Sequence, residues 1–94
     1  MSKEGAFMFK SKTETGKNNI CGKQVYRIRK AMIPKMSQRA LAEKLQLCGM
    51  DVDKNAIQRI ECGKRFVTDI ELIALSRALN VNIADLLSLP EEDQ

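Results

Sequence analysis

The chain has 94 residues, which suffice for one domain with a modest core and leave little room for a second. Hydrophobic residues make up 44% and aromatic residues only 4%, so the core must be largely aliphatic, as in a small helical protein. No apolar run approaches the ~20 residues that span a bilayer, which argues against a membrane partner.

The net charge of +4 is unevenly distributed along the chain. Residues 1–19 carry +2, residues 20–65 carry eleven Lys and Arg against four acidic residues (+7), and residues 66–94 carry one Arg against six acidic residues (−5). A basic segment beside an acidic one indicates a polyanionic partner such as DNA. Charge alone fits an ordinary solvated surface about as well, so the helix faces must decide.

The cysteines and the missing residue types exclude several classes of site. Cys21, Cys48 and Cys62 cannot all pair within one chain, and no signal peptide precedes the domain, so we expect a cytoplasmic protein. The cysteines are widely spaced and there is no His, so we expect no metal site and no cofactor. Without an activated nucleophile or a glycine-rich phosphate loop, the chain is not predicted to be an enzyme.

Residues 1–19 are polar and patternless, with four Lys among Ser, Thr, Gly and Asn. We expect a disordered basic extension. It can either reach along a DNA backbone or be an inert tail, and composition favours the tail. The folded domain is predicted over residues 20–89, followed by an acidic tail over residues 90–94.

The first two predicted helices follow from apolar spacing and a cap. The first begins near Ile20 and ends about Met32, before Pro34, which disfavours helix at the preceding residue. Its apolar stripe consists of Val25, Ile28 and Met32. The second begins after Ser37, whose hydroxyl can accept a bond from a first-turn N–H, and ends at Gly49. Its packing face consists of Leu41, Ala42 and Leu45.

The third predicted helix begins at the cap Asp53, ends at Gly63 and carries two different faces. At about 100° per residue, the apolar side consists of Ala56, Ile57 and Ile60. The polar side consists of Lys54, Asn55, Gln58 and Arg59. Amide, ammonium and guanidinium groups suit the base edges in the major groove of DNA. This helix is therefore predicted to read DNA.

The last two predicted helices begin at capping motifs. Thr68 and Glu71 form a capping box, and the helix continues to Asn80, which can adopt a left-handed conformation. Asn82 and Asp85 repeat a weaker box before the fifth helix, whose apolar residues are Ile83, Leu86 and Leu87. With no strand predicted, five short helices indicate an all-α helix-turn-helix bundle.

From about Ile20 to Leu89 the chain resembles the phage-repressor and Cro type of helix-turn-helix domain, the XRE family of transcriptional regulators. The segments that carry the resemblance are SQRALAEKL, AIQRIECGKR and IELIALSRALNVNIADLL. The resemblance implies a five-helix, lambda-repressor-like bundle that binds double-stranded DNA sequence-specifically as a homodimer, most simply as a repressor. The alternative is a protein-binding module, such as an antitoxin-like subunit; a small-molecule substrate is not expected.

The resemblance also implies roles for individual residues. The groove-facing positions of the third helix would read bases: Lys54, Asn55, Gln58 and Arg59. A second set would bind phosphate: Ser37, Gln38, Lys64, Arg65 and Lys35. Arg29 and Glu61 would form a structural ion pair that orients the reading helix. The dimer contact would come from the fifth helix and its end: Leu86, Leu87 and Leu89.

The chain departs from the resembled family between the second and third helices. Eleven residues, QLCGMDVDKNA, separate Leu45 from Ile57, where about six are usual, so the turn is lengthened. We expect Leu47, Met50 and Val52 to hold the extra residues on the bundle and the reading helix to keep its place.

Overall fold

The computed structural model describes residues 16–88, so residues 1–15 of the predicted extension, Leu89 and the acidic tail lie outside the described residues. Within the described range there are helices but no strands, as predicted. None of these helices combines the length and the apolar character needed to cross a bilayer. The helices are α1 (Gly22–Ala31), α2 (Gln38–Leu47), α3 (Lys54–Glu61), α4 (Asp69–Leu79) and α5 (Ile83–Leu87).

Helices α2, α3 and α4 begin at the predicted capping residues. In each case a side-chain oxygen accepts a hydrogen bond from a backbone N–H that has no partner inside the helix. The Glu71 carboxylate also accepts from the Thr68 N–H at 3.1 Å, which completes the capping box. The donor–acceptor pairs are Ala40 N to Ser37 Oγ (3.0 Å), Ala56 N to Asp53 Oδ1 (2.9 Å) and Glu71 N to Thr68 Oγ1 (3.2 Å).

The same three helices end at the predicted stop residues, which adopt the left-handed conformation. The φ angles are 90° at Gly49, 80° at Gly63 and 58° at Asn80. The next N–H in each case bonds back to a carbonyl five residues earlier, as in a Schellman motif. These bonds run from Met50 N to Leu45 O (2.9 Å), Lys64 N to Arg59 O (2.8 Å) and Val81 N to Ser76 O (3.0 Å). The exit of α3 is therefore defined as sharply as its start.

The aliphatic core fixes α3, because a helix of eight residues is too short to be stable alone. Ile57 and Ile60 are fully buried, and burial of each contributes about 1.5–3 kcal/mol. Helix α3 packs against α1 and α2, while α4 packs against α1, α2 and α5. Cys21, just before α1, is also in the core, and its burial raises the pKa of the thiol to about 11, so it remains a neutral apolar group.

The lengthened turn between α2 and α3 is present and is anchored to the core. Met50 and Val52 are buried, and Gln46 Nε2 donates to the Val52 carbonyl oxygen at 2.7 Å. The expectation that Leu47 also anchors the turn is wrong, because its side chain is 89% exposed. Leu47 lies about 200° around the helix from the buried Leu45 and therefore points away from the core. The two buried apolar residues, the Gln46 hydrogen bond and the backbone bond from Met50 N to Leu45 O hold the insertion.

Helices α1 and α3 approach so closely at Gly22 that a side chain does not fit. A Cβ added to Gly22 would overlap the carbonyl oxygen of Ile60 and lie 3.0 Å from that of Glu61.

Replacing glycine by alanine at a helical position ordinarily stabilises a protein by about 0.5–1 kcal/mol. At Gly22 we expect the opposite sign: Gly22→Ala should lower the free energy of unfolding by about 1–3 kcal/mol. Urea unfolding followed by circular dichroism measures this change, and a stabilised variant would contradict the close approach.

Candidate nucleic-acid interface

The polar face of α3 is open to solvent. All four predicted base-reading side chains are exposed, while Ile57 and Ile60 on the opposite face are fully buried. The lengthened turn before α3 therefore leaves this face uncovered. Shallow depressions flank it, one lined by Arg39, Lys54 and Asn55 and the other by Asn55, Arg59 and Arg65. The exposed residues are Lys54, Asn55, Gln58 and Arg59.

The last residue of α3, Glu61, ties three helices together through its carboxylate. Arg29 Nε on α1 lies 2.7 Å from Glu61 Oε2, and Arg29 Nη2 lies 3.0 Å from Oε1, so the predicted ion pair is present and is bidentate. Gln38 Nε2 on α2 donates to Oε1 at 2.9 Å, and Arg29 Nη1 donates to the Met36 carbonyl oxygen at 2.9 Å. The two charged side chains are only 8% and 6% exposed, so the network sets the orientation of α3.

The start of α2 offers donors of the kind that bind phosphate. Ser37 is exposed, and its Oγ accepts from Ala40 N, which leaves the hydroxyl proton for another acceptor. An amide NH₂ carries two donors, so the bond from Gln38 to Glu61 still permits a second one. The first backbone N–H groups of a helix also favour anions. The geometry of Ser37 and Gln38 is compatible with their predicted phosphate contacts.

Lys35 and Lys64 are exposed, as phosphate-binding residues need to be, and Arg65 is partly exposed and forms an ion pair. Arg65 Nη1 and Nη2 donate to the two oxygens of Glu71 at 3.1 and 3.2 Å. Partial burial alone would raise the pKa of Glu71, but hydrogen bonds from Arg65 and Thr68 and the Arg65 charge outweigh it and lower that pKa. Glu71 therefore stays ionised at neutral pH and pairs with Arg65. The Arg65 side chain is still 28% exposed, so its phosphate role stays a prediction alongside this ion pair.

The predicted dimer contact also needs correction. Leu86 is fully buried within the chain, where α5 packs against α1 and α4, so it offers no surface to a second copy. Leu87 is 40% exposed, and Ile83, four residues earlier on the same helix face, is 37% exposed. Leu89 lies outside the described residues. The exposed apolar surface of α5 is therefore Ile83 with Leu87.

Two features of this surface were not predicted from the sequence. Arg39, the second residue of α2, is exposed and lines the depression beside Lys54 and Asn55. Lys17, Asn18 and Asn19, predicted to belong to the disordered extension, instead bond to the carbonyls at the exit of α3. The predicted boundary at residue 19 is wrong for these three residues. Apolar periodicity carries no signal for either feature, because both depend on polar side chains.

Comparisons with known proteins agree with this architecture. A family model described as helix-turn-helix matches residues 25–86, which is more than half of the chain. The crystal structure of the restriction-modification controller protein C.AhdI from Aeromonas hydrophila is similar, with a TM-score of 0.59 and 24% sequence identity. The similarity covers 70% of this chain and 89% of that one and concerns the fold. No curated protein matches the chain.

Proposed function

The chain belongs to the XRE type of the helix-turn-helix family of DNA-binding transcriptional regulators, and on that premise we propose that it reads duplex DNA with the exposed face of α3. The observation that carries this proposal is the division of α3 into a fully buried isoleucine side and an exposed polar side. The simplest regulatory mechanism for a protein with this reading helix is repression of transcription by occlusion of a promoter.

Base recognition is assigned to four side chains by their chemistry. Asn55 and Gln58 can each make a bidentate contact with adenine N6 and N7, and Lys54 or Arg59 can donate to guanine O6 and N7. The Glu61 network orients the helix that carries them. Arg39, from α2, extends the basic surface beside Lys54.

Phosphate binding is assigned to residues that flank α3 on both sides. Ser37 and Gln38 at the start of α2, together with Lys35, would contact the backbone on one side, and Lys64 would do so after α3. Such contacts fix the register of the protein on the duplex without reading its sequence. Arg65 belongs to the same set, and its ion pair with Glu71 would hold the partly exposed guanidinium beside α3.

A homodimer would place two copies of α3 in successive major grooves, about 34 Å apart along the duplex. Ile83 and Leu87 on α5 are the residues we assign to the contact, in place of Leu86. This pair is small, so the dimer is expected to be weak in the absence of DNA and to be favoured by binding of both half-sites.

Salt dependence tests whether a polyanion is the ligand. The logarithm of the DNA affinity should fall linearly with the logarithm of the salt concentration, by about 0.9 for each phosphate contacted. Lys64→Ala should weaken binding to all duplexes alike and reduce this slope by about 1, because it removes one phosphate contact. Fluorescence anisotropy titrations between ~50 and ~200 mM salt measure both quantities. A shallow slope that Lys64→Ala leaves unchanged would rule out the proposed interface.

A second candidate function, binding of a protein partner, is favoured by one observation. An open groove of about 540 Å³ runs between the lengthened turn and α4, and its apolar lining includes Met50, Ile70 and Ile73. Ile70 is 75% exposed and Ile73 is 41% exposed. Tight binding of an acidic protein together with weak, salt-insensitive DNA binding would favour this function over DNA reading.

A further inference from the structure

The segment of residues 17–19, hereafter the strap, covers the end of the proposed reading helix. Three residues of the strap donate hydrogen bonds to five carbonyl oxygens at the exit of α3, across more than forty residues of sequence. The bonds are Lys17 Nζ to Cys62 O (3.3 Å), Asn18 N to Gly63 O (2.8 Å), Asn18 Nδ2 to Lys64 O (2.8 Å), Asn19 Nδ2 to Ile60 O (3.1 Å) and Asn19 Nδ2 to Arg65 O (2.7 Å).

Within the strap, Asn19 makes the connection between two helices. Its Oδ1 accepts from the N–H of Gly22, the first residue of α1, at 2.9 Å. Its Nδ2 donates to Ile60 near the end of α3 and to Arg65 after it. The first N–H groups of a helix and its last carbonyls have no partners within that helix. The Asn19 side chain bonds to one such N–H at the start of α1 and to a carbonyl near the end of α3, and so links the two ends.

The strap supplies a kind of restraint that the core does not. Burial of Ile57 and Ile60 holds α3 on the bundle, but the hydrophobic effect is not directional. Hydrogen bonds weaken steeply when their distance or angle departs from the optimum. The bond to Ile60 restrains the last turn of α3 directly, and the bonds to residues 62–65 fix the segment that follows the helix. They also restrict the backbone of Lys64, the proposed phosphate contact. Base reading needs side chains placed to within about 0.5 Å.

We infer that Asn19 is a positioning residue for DNA recognition, and that the strap acts together with the Glu61 network to set how α3 presents its polar face to the bases. This inference rests on the proposed function and adds to it residues that do not touch the bases. It also assigns a purpose to the glycine at position 22, since only a residue without a side chain lets α1 start where Asn19 can reach both helices.

The test compares the full-length protein with Asn19→Ala and Asn19→Asp. Asn19→Asp keeps the acceptor for Gly22 but sets a carboxylate oxygen against the carbonyls of Ile60 and Arg65. The quantity to measure is the ratio of two affinities at one salt concentration: that for a duplex which the wild-type protein selects from a random pool, and that for an unrelated duplex. The melting temperature of each variant is measured in parallel. An electrostatic change that alters the affinity for both duplexes by the same factor cancels in this ratio. Both variants should lower the ratio by about tenfold or more, the discrimination that one good bidentate contact provides.

A matched control separates positioning from stability. Thr68→Ala removes the side-chain hydrogen bond that caps α4, a change that lowers stability away from α3 and α5, and it should leave the ratio within about twofold. If Asn19→Ala proves unfolded, Asn18→Ala takes its place in the affinity measurement. This variant removes the side-chain bond to Lys64 and keeps the backbone bond to Gly63. This variant should also lower the ratio.

Two outcomes would overturn the inference, and they are distinguishable. If the wild-type protein prefers its selected duplex and the folded Asn19 and Asn18 variants keep that preference, the strap only stabilises the fold. If the wild-type protein shows no preference among duplexes, the proposed function fails and the inference fails with it.

Discussion

Replacing Glu61 with alanine is expected to lower the free energy of unfolding by about 3–5 kcal/mol. The substitution removes the carboxylate that accepts hydrogen bonds from Arg29 and Gln38, and it leaves a guanidinium that is only 8% exposed without its counter-ion. For a domain of this size, that loss is a large part of the total stability. Urea unfolding followed by circular dichroism measures it as a fall in the midpoint with the slope unchanged.

Two further variants give this prediction its controls. Glu43→Ala, which removes an exposed carboxylate from α2, should change stability by no more than about 0.5 kcal/mol. The double variant Arg29→Met with Glu61→Leu should recover much of the lost stability, because replacing a buried ion pair by apolar residues is often neutral. The double variant should still fail to discriminate between DNA sequences, because the Gln38 amide has lost Glu61 and the Met36 carbonyl has lost Arg29 as hydrogen-bond partners. A cost below about 1 kcal/mol for Glu61→Ala would mean that solvent screens the pair.

The second large effect concerns DNA. Arg59→Ala is expected to cost about 1–3 kcal/mol of binding free energy on the preferred duplex and much less on an unrelated one. The reason is that an arginine facing guanine makes two hydrogen bonds that no other base pair accepts in the same geometry. Anisotropy titrations on the preferred duplex and on its single-base variants, at one salt concentration, measure the difference.

Arg77→Ala is the charge-matched control for Arg59→Ala. Arg77 is an exposed arginine on α4, so its removal changes the net charge equally without altering α3. We expect only a small and uniform loss of affinity from it. Equal losses on all duplexes from Arg59→Ala would assign that residue to the phosphate backbone instead of the bases.

The ends of α2, α3 and α4 could be predicted because their signals are local. Ser37, Asp53 and Thr68 each cap a helix through a residue three positions later, and Gly49 and Gly63 end helices through their own backbone freedom. The pattern of the third predicted helix likewise separated buried from exposed residues, because eight positions at 100° each are enough to define two faces.

The parts that could not be predicted depend on partners distant in sequence. Asn19 lies in a polar stretch with no periodicity, and its partners at Ile60 and Arg65 are more than forty residues away. The pairing of Arg65 with Glu71 was likewise not predicted, because the sequence marks Arg65 only as a basic residue after α3. Helix α5 has five residues, too few for apolar spacing to show that Leu86 is buried and Leu87 exposed.

The most direct test of base reading by α3 is a pair of parallel selections from a random duplex pool, one with the wild-type protein and one with Arg59→Ala. The wild-type protein should enrich a defined sequence with two-fold symmetry, as expected for a dimer. The variant should enrich the same sequence except for one relaxed base pair in each half-site. Identical sequences from both proteins, or no enrichment with the wild type, would contradict the assignment of α3 as the element that reads DNA.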